Sequence, residues 1–174
     1  MSREKIDFIF NRRSCRDFSS KPLKEGDLEI LIEALRKAPS AGNIQPWFFY
    51  VVTNETVKSD LVKAAYGQSF IADAPVVFVV CADPQASGKC YGNRGETLYC
   101  IQGTAAAVEN LLLAATALGY GSCWIGAFNE DKARKALNIP ENLWPVGIVP
   151  VGYGKLSGQP TPRKPVSETF SFIK

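Results

Sequence analysis

Histidine is absent from the 174 residues of this chain. That absence excludes Ser-His-Asp and Cys-His nucleophilic machinery and histidine-ligated metals, and it removes the side chain most often used as a general acid or base near neutral pH. The five cysteines are an odd number without a CxxC pair, so neither a disulfide framework nor a zinc knuckle is indicated. If the protein is an enzyme, we expect a cofactor to carry the chemistry.

A strong charge of one sign is also lacking. The chain has 20 basic and 17 acidic side chains, which gives a net charge of only +3 and no broad basic field for nucleic acid. Its first 14 residues have no apolar run long enough for a secretory signal, and no segment is typical of a membrane span, so we expect a cytoplasmic protein. The length and ordinary globular composition predict one domain, residues 1–174.

The most apolar stretch runs from Gly103 to Gly119, where apolar side chains would surround a helix on every face. Such a helix has to be covered on every face, and one small domain has few other elements to cover it. We therefore predict a core helix that begins near Thr97, and a homodimer in which a second chain supplies part of the cover.

The remaining pattern predicts a mixture of helices and strands, an α+β fold. Helices are expected over 3–11, 24–38, 54–65 and from 129 to before Pro140, and strands over 47–53, 75–82, 123–128 and 145–154. The strand over 75–82 is apolar on both faces, which indicates a central position. Residues 83–96 are expected to form a polar loop, either plain surface or a lid. The proline-rich tail from Lys155 is expected to form an extended arm.

Several polar segments are candidates for a binding site. Arg12, Arg13 and Arg16 surround Ser14, which is typical either of a solvated basic turn or of an anion site. The loop APSAGNIQPW presents side-chain amides and a hydroxyl in a restricted shape that suits a planar polar ligand. Glycines in GYGSCWIGAF permit close approach by something flat. A second basic pair lies in the tail. Together these segments could hold a phosphate at one end and a planar ring at the other.

Three of these segments, RRSCRDF, APSAGNIQPW and GYGSCWIGAF followed by an IPE turn, resemble in their order and spacing the signatures of the FMN-dependent nitroreductase family. The resemblance covers nearly the whole chain. It implies an α+β fold with a central mixed sheet flanked by helices, and a homodimer that exchanges extended arms and holds two FMN sites at its interface. It also implies hydride transfer from NADH or NADPH through FMN to a nitroaromatic, quinone or similar small acceptor. Gly103 departs from the family pattern, because many members carry an acidic residue there.

The same resemblance implies the residues that bind FMN. At the phosphate it places Arg12, Arg13 and Ser14, together with Arg163 and Lys164 returning from the tail. Arg16 would lie near the pyrimidine edge of the ring and stabilise the negative charge of the reduced flavin, and no side chain is expected to act as a catalytic acid or base. The other residues expected around the ring are Pro39, Ser40 and Asn43 from the second protomer, Ile125 and Gly126 through their backbone, and Gln68, which is placed by local position.

Two other functions remain open on this scaffold. One is a flavin-consuming or dehalogenating enzyme, and the other is a flavin-binding or flavin-sequestering protein without turnover. Cys15 lies in the electropositive segment, where a thiolate is favoured, but we expect it to have a packing role.

Overall fold

An antiparallel sheet lies at the centre of the structure. The computed structural model describes residues 3–156 and 159–173. Its strands are β1 (Trp47–Val52), β2 (Val76–Ala82), β3 (Gly121–Ser122) and β4 (Trp144–Gly152), in the order β1-β2-β4-β3. All three pairings of named strands are antiparallel. The expected mixed sheet is therefore wrong for these strands, and the parallel pairing that exists is an isolated bridge between Ser14 and Ser122.

Strand β2 is central, as its apolar character predicts. All seven of its residues are buried, and it pairs with β1 on one side and β4 on the other. Side chains alternate between the faces of a strand, so Val76, Phe78 and Val80 enter one core cluster while Val77 and Val79 enter the other. The sheet thus has helices packed on both faces.

Eight α-helices surround the sheet in the described part of the chain. They are α1 (Asp7–Asn11), α2 (Asp27–Arg36), α3 (Glu55–Ala64), α4 (Phe70–Asp73), α5 (Pro84–Arg94), α6 (Cys100–Ala117), α7 (Glu130–Leu137) and α8 (Val166–Thr169). Helices α3 and α7 begin at their predicted caps, because Asn54 Oδ1 accepts from the Val57 amide at 3.1 Å and Asn129 Oδ1 from the Lys132 amide at 2.9 Å.

Helix α6 is the predicted core helix, and one chain covers it only in part. The residues that it buries are Cys100, Gly103, Thr104, Ala107, Val108, Leu111, Leu112 and Ala115. Its other positions, including Gln102, Glu109 and Ala117, remain exposed or half-exposed. The helix packs against α2 and the sheet. Part of its surface is therefore left for another covering element.

The segment expected to be a polar loop, residues 83–96, is instead helical. Asp83 Oδ1 accepts from the Ala86 amide at 2.9 Å, and Pro84 occupies the first turn of α5. At Gly92 the backbone leaves helical geometry, with φ 55° and ψ −146°, a conformation that glycine adopts without strain. A π-helical turn, Gly95–Tyr99, then leads into α6. The loop prediction is wrong because it treated the glycines as signs of irregular backbone.

These glycines allow two helical turns to pack closely. A Cβ atom on Gly95 would lie 2.3 Å from the Ser87 carbonyl oxygen, and one on Gly88 would lie 2.5 Å from the Glu96 side chain. The residues before Gly92 therefore fold back on the residues after it.

In the described chain, residues 84–117 are the one helical stretch that is long and apolar enough to cross a membrane. The break at Gly92 divides this stretch, and the α6 part of it is the core helix of the fold.

The tail is extended, as its composition predicts. Every described residue from 159 to 173 is exposed. Its hydrogen bonds join residues of the tail itself, such as that from Arg163 Nη1 to the Thr161 carbonyl oxygen at 3.1 Å. Three large apolar side chains near its end are exposed to an unusual degree: Phe170 at 65%, Phe172 at 77% and Ile173 at 96%.

Candidate cofactor-binding site

The arginine segment, residues 12–18, lies between β3 and the end of β4. On one side, the Cys15 amide donates to the Ser122 carbonyl oxygen at 2.8 Å. On the other side, the Lys155 amide donates to the Asp17 carbonyl oxygen at 3.0 Å, and Phe18 bridges to Gly154. The sequence neighbours of β3 and β4 thus fix the backbone that carries the predicted phosphate-binding side chains.

Cys15 anchors this segment by packing. It is 1% exposed, and its thiol donates to the Asp17 carbonyl oxygen at 3.3 Å. A Cβ on Gly154 would lie 2.2 Å from Cys15 Sγ, and a Cβ on Gly121 would lie 2.8 Å from Cys15 Cβ. The two glycines leave room for the sulfur, which supports the packing role.

The basic side chains of the segment have different surroundings. Arg12 Nε lies 3.5 Å from Glu109 Oε1 on α6, with 25% of the arginine side chain exposed. Arg13 is half-buried, whereas Ser14 and Arg16 are exposed. Burial raises the pKa of the nearby Cys123 thiol, while the charge of Arg16 and a hydrogen bond with Ser14 oppose that rise. Ser14 and the charge of Arg16 therefore both act on the Cys123 thiol, two residues before Ile125.

The chain at Ile125 and Gly126 leaves the sheet. Ile125 is buried and exchanges two hydrogen bonds with Ile148, at 2.9 and 3.0 Å. These bonds do not extend along the chain, so the prediction of a strand over 123–128 is wrong. Strand β3 ends at Ser122, and Ile125 forms only an isolated bridge, because the residues after it turn toward the start of α7. Gly126 is exposed, and a Cβ on it would meet no atom within 4 Å. Open space therefore lies over this backbone.

Gln68 lies beside the same turn. Its Nε2 donates to the carbonyl oxygens of Ala65, at 3.1 Å, and Ala127, at 3.4 Å. The second bond spans 59 positions of sequence and places the amide next to the residue that follows Gly126. The structure thus brings Gln68 to the Gly126 turn, although the sequence suggested its place only by local position.

The Pro39–Gln45 loop is held by its own hydrogen bonds. Ser40 Oγ accepts from the Gln45 amide, and the Ser40 carbonyl oxygen accepts from the Asn43 amide, both at 2.9 Å. Asn43 and Gln45 have left-handed backbones, with φ of 55° and 56°. Pro39 and Asn43 are exposed. The loop therefore presents the proline ring and the Asn43 amide on a fixed backbone.

A pocket of about 240 Å³ lies where this loop meets α6. It is lined by Pro39, Ser40, Ala41, Tyr99, Gln102, Gly103 and Ala106. Gly103 is buried here, and a Cβ on it would be in ordinary contact with Pro46 at 3.4 Å and Trp47 at 3.5 Å. Pro46 and Trp47, at the start of β1, thus cover Gly103.

Sequence reasoning missed an aromatic wall next to this pocket. The Tyr91 and Tyr99 rings meet edge to face with centroids 5.1 Å apart, and Arg94 Nε donates to the Tyr99 hydroxyl at 3.0 Å. Tyr91 also approaches the loop, since a Cβ on Gly42 would lie 2.6 Å from its hydroxyl. The Asp-Pro helix start at residues 83–84 was the signal that could have placed these side chains on a helix.

One chain does not bring all the predicted residues together. The arginine segment contacts α6 at Glu109 and the Pro39–Gln45 loop contacts it at Gly103, positions about 9 Å apart along the helix axis. Arg163 and Lys164 lie in the exposed tail, among residues that hydrogen-bond only within the tail in the described part of the chain. The arginine segment pairs with Ser122, four residues before the Gly126 turn that Gln68 contacts, whereas the Pro39–Gln45 loop lines a pocket on α6.

Comparison with known proteins assigns the chain and its fold to one family. The chain matches the Nitroreductase family over residues 9–68 and 62–153. It is 37% identical over 156 residues to an Archaeoglobus fulgidus protein named NADH dehydrogenase/NAD(P)H nitroreductase, covering 87% of this chain and 86% of that protein. It is 28% identical to a Bacillus subtilis protein named FMN reductase (NADPH), covering 95% and 72%. The crystal structure of a nitroreductase family protein from Clostridium novyi superposes with a TM-score of 0.78 at 32% identity, covering 86% and 84%.

The chain belongs to the nitroreductase family. Enzymes of this family are FMN-dependent oxidoreductases that take electrons from NAD(P)H. The expectations of an oxidoreductase, of FMN and of a nicotinamide donor are confirmed at this level, whereas the individual binding residues stay predictions.

Proposed function

We propose that this protein is an FMN-dependent NAD(P)H oxidoreductase that reduces a nitroaromatic, a quinone or a similar small acceptor, and that it acts as an arm-exchanged homodimer. The observation that carries the proposal is the group formed by the arginine segment, Gln68 and the open backbone at Gly126. It combines basic side chains that could bind an anion with open space above the Gly126 backbone.

The phosphate end of the proposed site is the arginine segment. Guanidinium groups match phosphate oxygens with two parallel hydrogen bonds, and Arg12, Arg13 and Ser14 lie on a backbone fixed to β3. Glu109 holds Arg12 in place through the 3.5 Å ion pair and leaves part of its guanidinium exposed. The tail supplies Arg163 and Lys164, which in one chain are exposed and therefore accessible to a site formed with a second copy.

The ring end is the turn at Ile125 and Gly126. A side chain at Gly126 would occupy the open space above the backbone, so its absence suits an isoalloxazine ring. Gln68 places an amide beside the turn, where it could contact the polar edge of the ring. The charge of Arg16 acts on the Cys123 thiol, three residues before Gly126, and would lie near the pyrimidine edge of the ring. Ser40 and Asn43 would approach from the second copy.

The unburied apolar surface supports a dimer. Helix α1 exposes Ile9 and Phe10, at 46% and 56%, and the tail exposes Phe170 and Phe172. Large apolar side chains exposed together are typical of an interaction surface. The tail gives the same indication, because in the described residues Arg163 and Lys164 belong to an exposed segment whose hydrogen bonds are internal. Sedimentation of the purified protein as a compact monomer at micromolar concentration would contradict this part of the proposal.

Bound FMN would supply two-electron chemistry between the nicotinamide donor and the acceptor. The chain itself would hold the phosphate, orient the ring over the Gly126 turn and place the Arg16 charge where reduction adds negative charge. No side chain needs to transfer a proton in this proposal, which agrees with the lack of histidine. The cytoplasmic location stays a prediction.

The proposal is tested by the absorption spectrum of protein purified without added flavin. We expect flavin bands that bleach on anaerobic addition of NADH or NADPH and return when a nitroaromatic or a quinone is added. A bound flavin that neither donor bleaches would favour a flavin-sequestering protein or an enzyme that consumes reduced flavin. A colourless protein that FMN does not reconstitute would refute the proposed function.

Two arginine variants separate the two ends of the site. Arg12→Ala should release FMN, raising its dissociation constant about tenfold, because a charged contact with the phosphate is lost. Arg16→Ala should retain FMN but slow its reduction by the donor. Flavin content and stopped-flow reduction measure these effects. Arg36→Ala is the matched control, because that exposed arginine pairs only with Glu33 on α2. Equal flavin content and reduction rates in all three variants would contradict the assignment.

A further inference from the structure

A second basic surface lies between α3 and α7, apart from the residues assigned above. This lysine groove is lined by Asp60, Lys63, Lys132, Lys135 and Ala136 and has a volume of about 400 Å³. Three ammonium groups thus share one concavity with a single carboxylate. Concave surfaces lined by one sign of charge raise the local concentration of oppositely charged ligands.

Two of the three lysines are uncompensated. Lys63 Nζ lies 2.8 Å from Asp60 Oδ1 and is neutralised by it. Within the described part of the chain, Lys132 and Lys135 have no carboxylate within 4 Å, and both are exposed. Glu130, at the start of the same helix, accepts from Trp144 Nε1 at 3.0 Å and so is directed toward β4. The groove therefore has two positive charges available to an anion.

The groove lies next along the chain to the turn that we propose for the ring. The Asn129 amide donates to the Ala64 carbonyl oxygen at 2.8 Å, which joins the start of α7 to the end of α3 just beyond the Gly126 turn. Lys63 directly precedes Ala64, and Lys132 is three residues, about 5 Å along the helix axis, beyond Asn129. A ligand that reaches from the flavin surface along α7 would meet Lys132 first and Lys135 next.

The lysine spacing suits a phosphate monoester. Residues three apart on a helix lie on the same face with Cβ atoms about 5–6 Å apart, so Lys132 and Lys135 can approach one dianion from two sides. Lysine binds phosphate as a point charge and imposes little geometry. The chemical difference between NADPH and NADH is one such phosphate, on the adenosine ribose, at the end of the molecule away from the nicotinamide.

We propose that the lysine groove binds the adenosine phosphate of the donor and makes the protein prefer NADPH to NADH. The inference rests on the proposed function, because it takes the donor to be bound over the Gly126 turn. It assigns Lys132 and Lys135 a role in donor specificity, with Lys63 at the edge of the groove.

The first test measures binding without turnover. Isothermal titration calorimetry of the FMN-loaded protein would compare 2′,5′-ADP, 5′-AMP and inorganic phosphate. We expect 2′,5′-ADP to bind about fivefold to tenfold more tightly than 5′-AMP, the size of effect that exposed ion contacts give. Lys132→Glu and Lys135→Gln should each remove that difference. Lys37→Gln, at an exposed lysine paired with Glu33 at the end of α2, is the matched control.

The charge reversal at Lys132 should not unfold α7. Lys132 is the third residue of the helix after the Asn129 cap. Glutamate at that position, in the first turn of the helix, interacts favourably with the positive end of the helix dipole. Circular dichroism of the variant should match that of the parent protein, and Lys135→Gln provides a second variant without charge reversal.

The second test measures donor choice during turnover. In the parent protein kcat/KM should be higher for NADPH, and Lys132→Glu should lower it about tenfold while leaving the NADH value unchanged. Equal binding of 2′,5′-ADP and inorganic phosphate, or an unchanged donor ratio in both variants, would overturn the inference. If neither donor reduces the flavin, the proposed function fails; the calorimetric comparison then still decides whether the groove distinguishes 2′,5′-ADP from 5′-AMP.

Discussion

Replacing Gly154 by alanine should displace the arginine segment, because the new methyl group has no room. The added Cβ would lie 2.2 Å from Cys15 Sγ and 3.1 Å from the Asp17 carbonyl oxygen. Carbon and sulfur atoms that are not bonded do not approach so closely, so the backbone at Cys15 has to move. Inserting a methyl group into a packed core costs about 1–3 kcal/mol. We expect that loss of stability, together with weaker FMN binding.

A second substitution tests whether the sulfur causes this effect. Cys15→Ala alone should cost about 1 kcal/mol, since it removes one buried atom and leaves a small gap. In the double variant the nearest atom of residue 15 to the new methyl group would be its Cβ, at 3.5 Å, an ordinary contact. The 3.1 Å approach to the Asp17 carbonyl oxygen remains in the double variant. Adding Gly154→Ala to Cys15→Ala should therefore cost about 1 kcal/mol or less, which is smaller than its cost in the parent protein, and the difference between the two costs measures the interaction with the sulfur.

Urea denaturation of the four proteins gives the free energies of unfolding, and FMN titration gives the affinity. Gly126→Ala is the control for glycine replacement, because a Cβ there meets nothing within 4 Å and should change the stability by less than about 0.5 kcal/mol. Additive effects of Gly154→Ala and Cys15→Ala would refute the steric explanation. Unchanged FMN affinity in Gly154→Ala would show that the segment does not position the phosphate site.

Three further predictions concern single side chains. Lys58→Met should lower the free energy of unfolding by about 2–4 kcal/mol in urea denaturation, because the 2% exposed lysine donates to two carbonyl oxygens at the end of α4. Glu55→Gln, at the 80% exposed ion-pair partner of Lys58, should lower it by less than about 1 kcal/mol. Equal losses in the two variants would contradict this prediction. Burial, together with the hydrogen bond to Asp27, raises the pKa of Tyr120 to about 12. Above about pH 10 the unfolded chain releases the phenol proton, whereas the native state keeps it, so the free energy of unfolding should fall between about pH 10 and pH 12. Tyr120→Phe should lack that part of the fall, as urea midpoints at several pH values would show, and parallel pH curves for the two proteins would refute it. Gly126→Val should leave the thermal midpoint unchanged but weaken FMN binding about tenfold or more; unchanged affinity would place the ring elsewhere.

Local sequence signals predicted much of the fold. The seven apolar residues of β2 indicate a strand buried on both faces, and the structure places that strand between β1 and β4 with helices on both sides. The asparagines at 54 and 129 mark helix starts because their side chains cap the first turn. These predictions succeed because each depends on interactions within a few residues or on the burial of a single element.

The incorrect predictions depend on contacts between distant residues. Residues 83–96 contain three glycines in a polar stretch, and only the approach of Gly95 to Ser87, across the break at Gly92, shows why they are compatible with a helical hairpin. The strand predicted over 123–128 ends early because the Asn129 amide pairs with α3 and turns the chain away from the sheet.

The residues of the candidate site stay predictions, and their arrangement could not be read from the sequence. Motif spacing identifies the arginine segment and the Pro39–Gln45 loop, but the pairing of Ser14 with Ser122 joins residues 108 positions apart. The bond from Gln68 to Ala127 is similarly non-local. The lysine groove gave no signal in the sequence, since its lysines come from two helices that only the fold brings together.

The hairpin formed by residues 84–99 is attached to the rest of the chain at fixed ends. The Asp83 amide donates to the Pro46 carbonyl oxygen at 3.0 Å, and the other end continues into the buried start of α6. A change in the length of this hairpin should therefore leave the register of the sheet unchanged. Tyr91 and Tyr99 stand beside the Pro39–Gln45 loop, so exchanging the hairpin would alter the surface around that loop and leave the backbone of the arginine segment unchanged.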